Sequence, residues 1–145
     1  MTYWLISFRF PRAGGPLNNA FFLEALLLKK VWFLRKQPKS MQEGDLLLFY
    51  GASLSFYAEA LLANIEVASY GDRLALQELG IFRFKMRLLL DEVVFYKRIV
   101  PLRVLATSLE LVSNKEYIGA SVRLTPRAIN EQDVLKIRLV TLCVK

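Results

Sequence analysis

The stretch Met41-Gln-Glu-Gly-Asp-Leu-Leu-Leu-Phe-Tyr50 joins a turn signal to a strand signal. Gly44 supplies a permissive backbone for a tight turn, and the side chain of Asp45 can hydrogen-bond that turn. The apolar residues that follow predict a buried strand. A second apolar run covers residues 60–68, so we expect an antiparallel pair of strands joined by a loop over residues 51–59.

Further strands are expected on both sides of this pair. Residues 3–10 are aromatic and β-branched enough to form one, and residues 31–34 form a shorter candidate. Residues 82–90 alternate between apolar and basic side chains, which predicts a half-buried strand. β-favouring residues continue over 93–99, and the acidic pair Asp91-Glu92 between these two segments is expected to form a turn or a bulge.

The first helix is expected after an interruption of the chain. The segment Pro11-Arg-Ala-Gly-Gly-Pro16 reads as a flexible loop that is incompatible with a helix. Asn18 or Asn19 then offers an N-cap for a helix over residues 20–30, which ends on two lysines that the helix dipole favours. The apolar face of this helix is expected to comprise Phe21, Ala25 and Leu28.

The C-terminal third is less regular. Residues 101–111 are more helical than extended, and Asn130 followed by Asp133 resembles a capping box that starts another helix. Residues 139–144 either extend this helix or form a strand. About five to seven strands with two or three short helices, in no regular alternation, predict an α+β fold with a curled, barrel-like mixed sheet. The length suits one domain over residues 1–145.

Several catalytic designs are excluded by composition. The chain contains no histidine, and its only cysteine is Cys143. Disulfides within the chain and Cys/His zinc sites are therefore excluded. Ser-His and Cys-His nucleophile pairs are excluded as well, because both require an imidazole base. We expect neither catalysis nor a cofactor.

Basic residues outnumber acidic ones. Twenty Lys and Arg against thirteen Asp and Glu give a formal net charge of +7. This surplus attracts phosphate polyanions through counterion release, which makes nucleic acid the expected class of partner. A basic surface without a binding function is the alternative, since net charge alone identifies no site.

One stretch, residues 46–65, has about the length of a membrane-spanning helix. Glu59 and Asn64 interrupt it, and Asp45 and Glu66 flank it where Lys or Arg would normally anchor a span. The first residues of the chain lack the charged and long apolar regions of a signal peptide. We therefore expect no membrane segment and a cytoplasmic location.

Cations and aromatic side chains are mixed after the first helix. Within eleven residues that include Trp32 and Phe33, five cations occur without an acidic residue: Lys29, Lys30, Arg35, Lys36 and Lys39. This composition is typical of surfaces that bind single strands or flipped bases, and the alternative is a helix C-terminus beside a solvated loop. A second basic row consists of Arg83, Lys85 and Arg87. These side chains either contact successive phosphates of a nucleic acid or form the solvated face of a strand.

Short motifs occur in a recognisable order along nearly the whole chain. They are Tyr3-Trp4-Leu5, Val31-Trp32, the stretch from Met41 to Tyr50, Ala60-Leu-Leu-Ala-Asn-Ile-Glu-Val-Ala68, a long strand before Pro101-Leu102, and Gly119-Ala-Ser121-Val-Arg123-Leu-Thr125. This order resembles that of EVE domains, which belong to the PUA-like superfamily and are related to YTH and ASCH domains.

The resemblance implies an aromatic pocket at one end of a barrel, in which a modified or flipped base is stacked. Trp4, Trp32 and Tyr50 occupy the matching positions, and Ser121 and Arg123 lie on the strand that borders this pocket in the family. Both tryptophans equally suit a buried core. The residues after Trp32 depart from the pattern of many EVE domains and resemble the more basic, archaeal-type members, which leaves the identity of the base open.

We therefore predict a non-catalytic module that binds RNA or a modified base in DNA. The predicted site residues are Trp4, Trp32, Arg35, Lys36, Lys39, Tyr50, Ser121 and Arg123. The alternative is an assembly or adaptor domain, for example a homodimer, in which apolar surface forms a protein interface and the basic residues serve solubility alone.

Overall fold

A computed structural model describes residues 1–8, 16–51, 55–78, 84–105, 108–110 and 126–141. In chain order these residues form β1 (Tyr3–Phe8), α1 (Pro16–Leu28), β2 (Val31–Leu34), β3 (Leu46–Gly51), β4 (Ser55–Val67), α2 (Tyr70–Glu78), β5 (Met86–Pro101), α3 (Leu102–Leu105), β6 (Arg127–Ile129) and α4 (Glu131–Thr141). This irregular order of strands and helices is that of an α+β protein, as predicted.

The strands form one mixed sheet in the order β2-β5-β4-β3-β1-β6. β1 and β3 run parallel, and the other neighbouring pairs are antiparallel. The predicted antiparallel pair is confirmed, since Leu47 of β3 faces Ala60 of β4. The sheet is curled, but among the described residues it does not close into the expected barrel, because β2 and β6 remain its edges.

Alternating side chains divide the core into two layers, one on each side of the sheet. On the side that α1 covers, Trp4, Leu47 and Phe49 pack with Leu23 and Leu27 of the helix. The opposite side packs with α3 and α4, and its buried residues include Leu5, Leu48, Tyr50, Phe56, Tyr96, Leu102, Val134 and Ile137. We call these two sides the α1 face and the α4 face.

A bulge at Tyr57 reverses the alternation of side chains along β4. Two consecutive residues of β3 face Phe56 and Ala58, so Tyr57 between them is an extra residue. On the β5 side, residues 96–99 lie opposite Tyr57 alone. Phe56 consequently packs in the α4 face and Ala58 in the α1 face, although an even spacing would place them on the same side.

The predicted bulge near the acidic pair is confirmed. Glu59 faces Val94 and Leu61 faces Asp91, so two residues of β5 oppose one residue of β4 there. Glu92, one of the two, has a φ of 45°, which is unusual for a non-glycine residue. The acidic pair therefore lies within a continuous strand and does not form a turn.

Helix α1 begins earlier than predicted. It starts at Pro16, so Asn18 and Asn19 lie inside the helix and are not its N-cap. Proline suits the first helical position because its φ is fixed near helical values and its missing N–H has no partner there. Lys30, two residues after the helix ends, adopts a φ of 58°, the left-handed conformation in which helices commonly terminate.

The buried face of α1 also differs from the prediction. Leu23 and Leu27 are buried, whereas Phe21 and Leu28 of the predicted face are 65% and 67% exposed. Nearly every residue in this part of the helix is apolar, so its periodicity does not select one face.

The two other long helices begin at side-chain caps. Asn130 accepts a hydrogen bond from the N–H of Asp133 through its Oδ1 at 2.8 Å, which confirms the predicted start of α4. Helix α2 is not predicted from the sequence, although Ser69 and Asp72 form a reciprocal capping box with N–H···O distances of 3.0 and 3.1 Å.

Residues 46–51 and 55–65, which include most of the stretch with the length of a membrane span, form strands. No helix in the described part of the chain is long and apolar enough to cross a membrane.

Candidate nucleic-acid interface

Trp4 is held in the core by a hydrogen bond to Asp45. Its Nε1 donates to Oδ2 of Asp45 at 2.9 Å, and the backbone N–H groups of Thr2 and Gln42 donate to the same carboxylate, each at 3.0 Å. Burial raises the pKa of Asp45, but these N–H donors together with the positive charge of the N-terminus outweigh burial, and the pKa is lowered overall. Trp4 is only 4% exposed, so its indole is occupied in joining β1 to the turn before β3.

Trp32 is enclosed by aromatic side chains of the α1 face. Its ring meets Phe49 edge-on at a centroid distance of 5.0 Å and Phe8 at 6.4 Å. The neighbouring Phe33 contacts Phe84 in the same way at 6.5 Å. Trp32 and Phe33 are 5% and 7% exposed, so neither presents a ring face to solvent for stacking.

Tyr50 lies in the α4 face, on the other side of the sheet from Trp4 and Trp32. Its ring packs against Phe56 at 5.2 Å, and its hydroxyl has no hydrogen-bond partner among the described residues. Burial raises the pKa of Tyr50 to about 12. The three predicted aromatics therefore do not converge on one pocket, because alternation along paired strands places Tyr50 opposite the two tryptophans.

Two other predicted site residues, Ser121 and Arg123, lie outside the described residues, as do Arg83 of the second basic row and Cys143.

The predicted cations lie at the two ends of the edge strand β2. Backbone hydrogen bonds join Lys30 to Leu90 and Leu34 to Lys85, so β2 is tied to β5 at both ends. Six exposed cations surround these ends, and we call them the basic margin: Lys29, Lys30, Arg35, Lys36, Lys39 and Lys85. The four residues of β2 separate its two groups by about 13 Å.

Among the described residues, no ion pair involves the basic margin, whereas Arg87 and Arg138 are both paired with carboxylates. Arg87 lies 3.6 Å from both Glu66 and Asp72. Arg138 of α4 binds Glu59 with both ends of its guanidinium group. In the predicted basic row, Lys85 is exposed. Arg87 is half-buried, and its charge is balanced by the carboxylates of Glu66 and Asp72.

The Glu59 carboxylate is part of a buried polar group on the α4 face. Because β4 begins at Ser55, Glu59 lies in mid-strand, and the predicted loop over residues 51–59 is shorter than expected. Hydrogen bonding to Glu59 raises the pKa of Arg138, and burial beside the same carboxylate raises the pKa of Tyr96. Glu59 is 5% exposed, so it holds α4 against the sheet and does not face solvent.

A cleft of about 210 Å³ opens between α1 and the bulged part of the sheet. Its lining residues are Leu23, Glu24, Tyr57, Phe95, Tyr96 and Ile99. None of them is among the predicted site residues. No signal in the sequence marks this cleft, because the irregularity at Tyr57 appears only when β4 is aligned with the strands beside it.

No cluster of three or more acidic, histidine or cysteine side chains that could hold a metal ion occurs among the residues described.

Comparison with known proteins identifies a similar fold. No protein-family model and no curated protein sequence matches this chain. The crystal structure of ASCH from Zymomonas mobilis superimposes with a TM-score of 0.58 and 16% identity, over 96% of this chain and 95% of that one. A single-residue variant of that protein gives a TM-score of 0.60 at the same identity, over 96% of both chains. The N-terminal domain of McrB from Staphylothermus marinus is more distant, with a TM-score of 0.48 and 12% identity over 95% of this chain and 93% of that one, and it supports no inference.

The chain thus shares its fold with an ASCH domain along nearly its full length. The predicted PUA-like α+β fold is confirmed, whereas membership of the EVE family in particular remains a prediction.

Proposed function

We propose that this chain is a non-catalytic module that binds nucleic acid by contacting phosphates with its basic margin. The observation that carries the proposal is the position of six exposed cations around one edge strand, five of which lie in the segment from Lys29 to Lys39, which contains no acidic residue. Other cations near the sheet, such as Arg87 and Arg138, are paired with carboxylates. RNA and modified DNA are the partners that we expect.

The geometry supports a phosphate contact better than the predicted aromatic pocket. Trp4, Trp32 and Tyr50 are each less than 6% exposed and lie on two faces of the sheet. A base could stack on them only if the core opened, which would expose much apolar surface to water. The cations of the basic margin need no such change.

The proposal predicts a strong dependence of affinity on salt. Each phosphate contact to a single strand contributes about −0.7 to the slope of log K against log salt, so six contacts give about −4. Between about 50 mM and 200 mM salt, affinity should fall by a factor on the order of 10²–10³.

A titration of a fluorescent single-stranded oligonucleotide at several salt concentrations tests this directly. The double variant Arg35→Ala, Lys36→Ala should reduce the slope by about 1.4, because two contacts are removed. Arg103→Ala, which removes an exposed cation after the opposite end of β5, is the matched control and should leave the slope unchanged. Binding that is insensitive to salt, or a slope that the double variant leaves intact, would refute the proposal.

The absence of catalysis is tested separately. Long incubation with RNA should leave the strand intact, and cleavage that co-purifies with the protein would contradict the non-catalytic part of the proposal.

One observation favours the assembly alternative. Leu135 and Leu139 are 52% and 79% exposed and lie four residues apart, hence on one side of α4. Sedimentation of the free protein distinguishes the two functions, since a stable dimer indifferent to nucleic acid would favour assembly.

A further inference from the structure

The cleft between α1 and the bulge is formed by the irregularity of the sheet. Four residues of β5, 96–99, lie opposite the single residue Tyr57, so the two strands separate locally. Leu23 and Glu24 of α1 form the other side of the opening. Bulges of this kind commonly redirect side chains next to binding sites.

Aromatic side chains line this cleft and remain accessible. Phe95 is 38% exposed, and Tyr57 is half-buried. The ring of Tyr57 is fixed by an edge-on contact with Phe8 at a centroid distance of 5.5 Å. In contrast to Trp4 and Trp32, these rings can be approached by a ligand without opening the core.

Charged groups of both signs accompany the aromatic lining. Lys97 is exposed and lies in the same bulged segment as Tyr96 and Ile99, which both line the cleft. Glu24 contributes an exposed carboxylate, an acceptor for the N–H groups on the edge of a base. Cations for a phosphate and an acceptor for a base are the groups that a nucleotide requires.

The cleft is connected to the basic margin by α1. Leu23 lies five residues before Leu28, where α1 ends, a separation of about 8 Å along the helix, and Lys29 and Lys30 follow directly. A single strand of a few nucleotides could therefore contact Lys29 and Lys30 while one of its bases reaches the cleft.

We propose that the cleft binds one unpaired nucleobase of the strand whose phosphates contact the basic margin, by stacking on Phe95 and Tyr57. This inference rests on the proposed function. The volume of about 210 Å³ is below the roughly 300–1,000 Å³ typical of pockets for drug-sized ligands, which suits a single ring system.

The test compares a short single-stranded oligonucleotide with the same strand in which tetrahydrofuran replaces every base. Both carry the same phosphates, so binding of the base-free strand reports the basic margin alone. The native protein should bind the base-containing strand at least about fivefold more tightly, as expected for one stacked base.

Two variants assign this preference to the cleft. Phe95→Ala removes a stacking ring, and Ile99→Trp fills the opening; both positions are partly exposed, so folding should be preserved. Each variant should abolish the preference for bases and leave the affinity for the base-free strand unchanged. Leu139→Ala, an exposed apolar residue on α4, is the control and should behave like the native protein.

The outcomes separate the two proposals. If neither strand binds, the proposed function itself is wrong and the cleft proposal fails with it. If both strands bind equally well, or if both cleft variants retain the preference for bases, phosphate binding stands and the cleft proposal is overturned.

Discussion

The carboxylate of Asp45 offers the sharpest test of how this fold is held together. Asp45→Ala removes the acceptor of three N–H groups, from Thr2, Gln42 and the indole of Trp4. The bond from the buried indole to a charged group should contribute about 2 kcal/mol, and each partly buried backbone N–H about 1 kcal/mol. We therefore expect a loss of about 4 kcal/mol from the free energy of unfolding, a large share of the 5–15 kcal/mol typical of a domain.

The pH dependence of this loss has a definite sign. The pKa of Asp45 is lowered from its ordinary value of 3.8, because the N–H donors together with the positive charge of the N-terminus outweigh the burial that raises it. A carboxyl group whose pKa is lower in the folded state contributes stability above pH 3.8 and loses that contribution as the pH falls through the folded pKa. The difference in stability between the native protein and Asp45→Asn should therefore be constant near neutral pH and shrink below about pH 4.

Urea unfolding followed by tryptophan fluorescence measures both effects. Glu43→Gln changes an exposed carboxylate two residues away and should shift stability by less than about 0.5 kcal/mol. The reasoning is refuted if Asp45→Ala behaves like this control, or if the difference between the native protein and Asp45→Asn grows as the pH falls.

Two further predictions concern close packing. Gly51→Ala should destabilise the protein by about 1–3 kcal/mol, because a Cβ there would lie 2.5 Å from the backbone carbonyl oxygen of Phe8 in β1. In the same thermal unfolding experiment Gly71→Ala in helix α2 should be neutral or stabilising, because a Cβ there would lie 3.9 Å from the hydroxyl oxygen of Ser69, an ordinary van der Waals contact. Tyr50→Phe should leave stability unchanged or slightly raised, since the hydroxyl has no hydrogen-bond partner among the described residues. A marked decrease in the free energy of unfolding, measured with a chemical denaturant, would contradict this.

Local signals in the sequence predict β3 and the start of α4, whereas β6 and the first residues of β4 are not predicted. The apolar run after Asp45 forms β3, and Asn130 caps α4, because each depends on residues adjacent in the chain. The exposure of Arg35, Lys36 and Lys39 is also as expected for a polar loop. The order of such local elements predicts an α+β fold, and the resemblance of the motifs to a known family is what identified it as PUA-like.

Side-chain direction could not be predicted in the same way. Trp4 faces Leu47 across β1 and β3, and Tyr50 is three residues further along β3, so it points to the opposite side of the sheet. This relation depends on the register between strands distant in sequence. The extra residue at Tyr57 likewise appears only when β3 is aligned with β4.

The position of β2 at the edge of the sheet has a consequence for solubility. Its four residues are apolar and buried, and among the described strands only β5 pairs with it. An unpaired strand edge is a template on which another polypeptide can add a strand, and charged flanking residues oppose this by repulsion between like-charged molecules. Lys29, Lys30, Arg35 and Lys36 flank β2 in this way, so a polyanion that neutralises them would also remove the protection against aggregation.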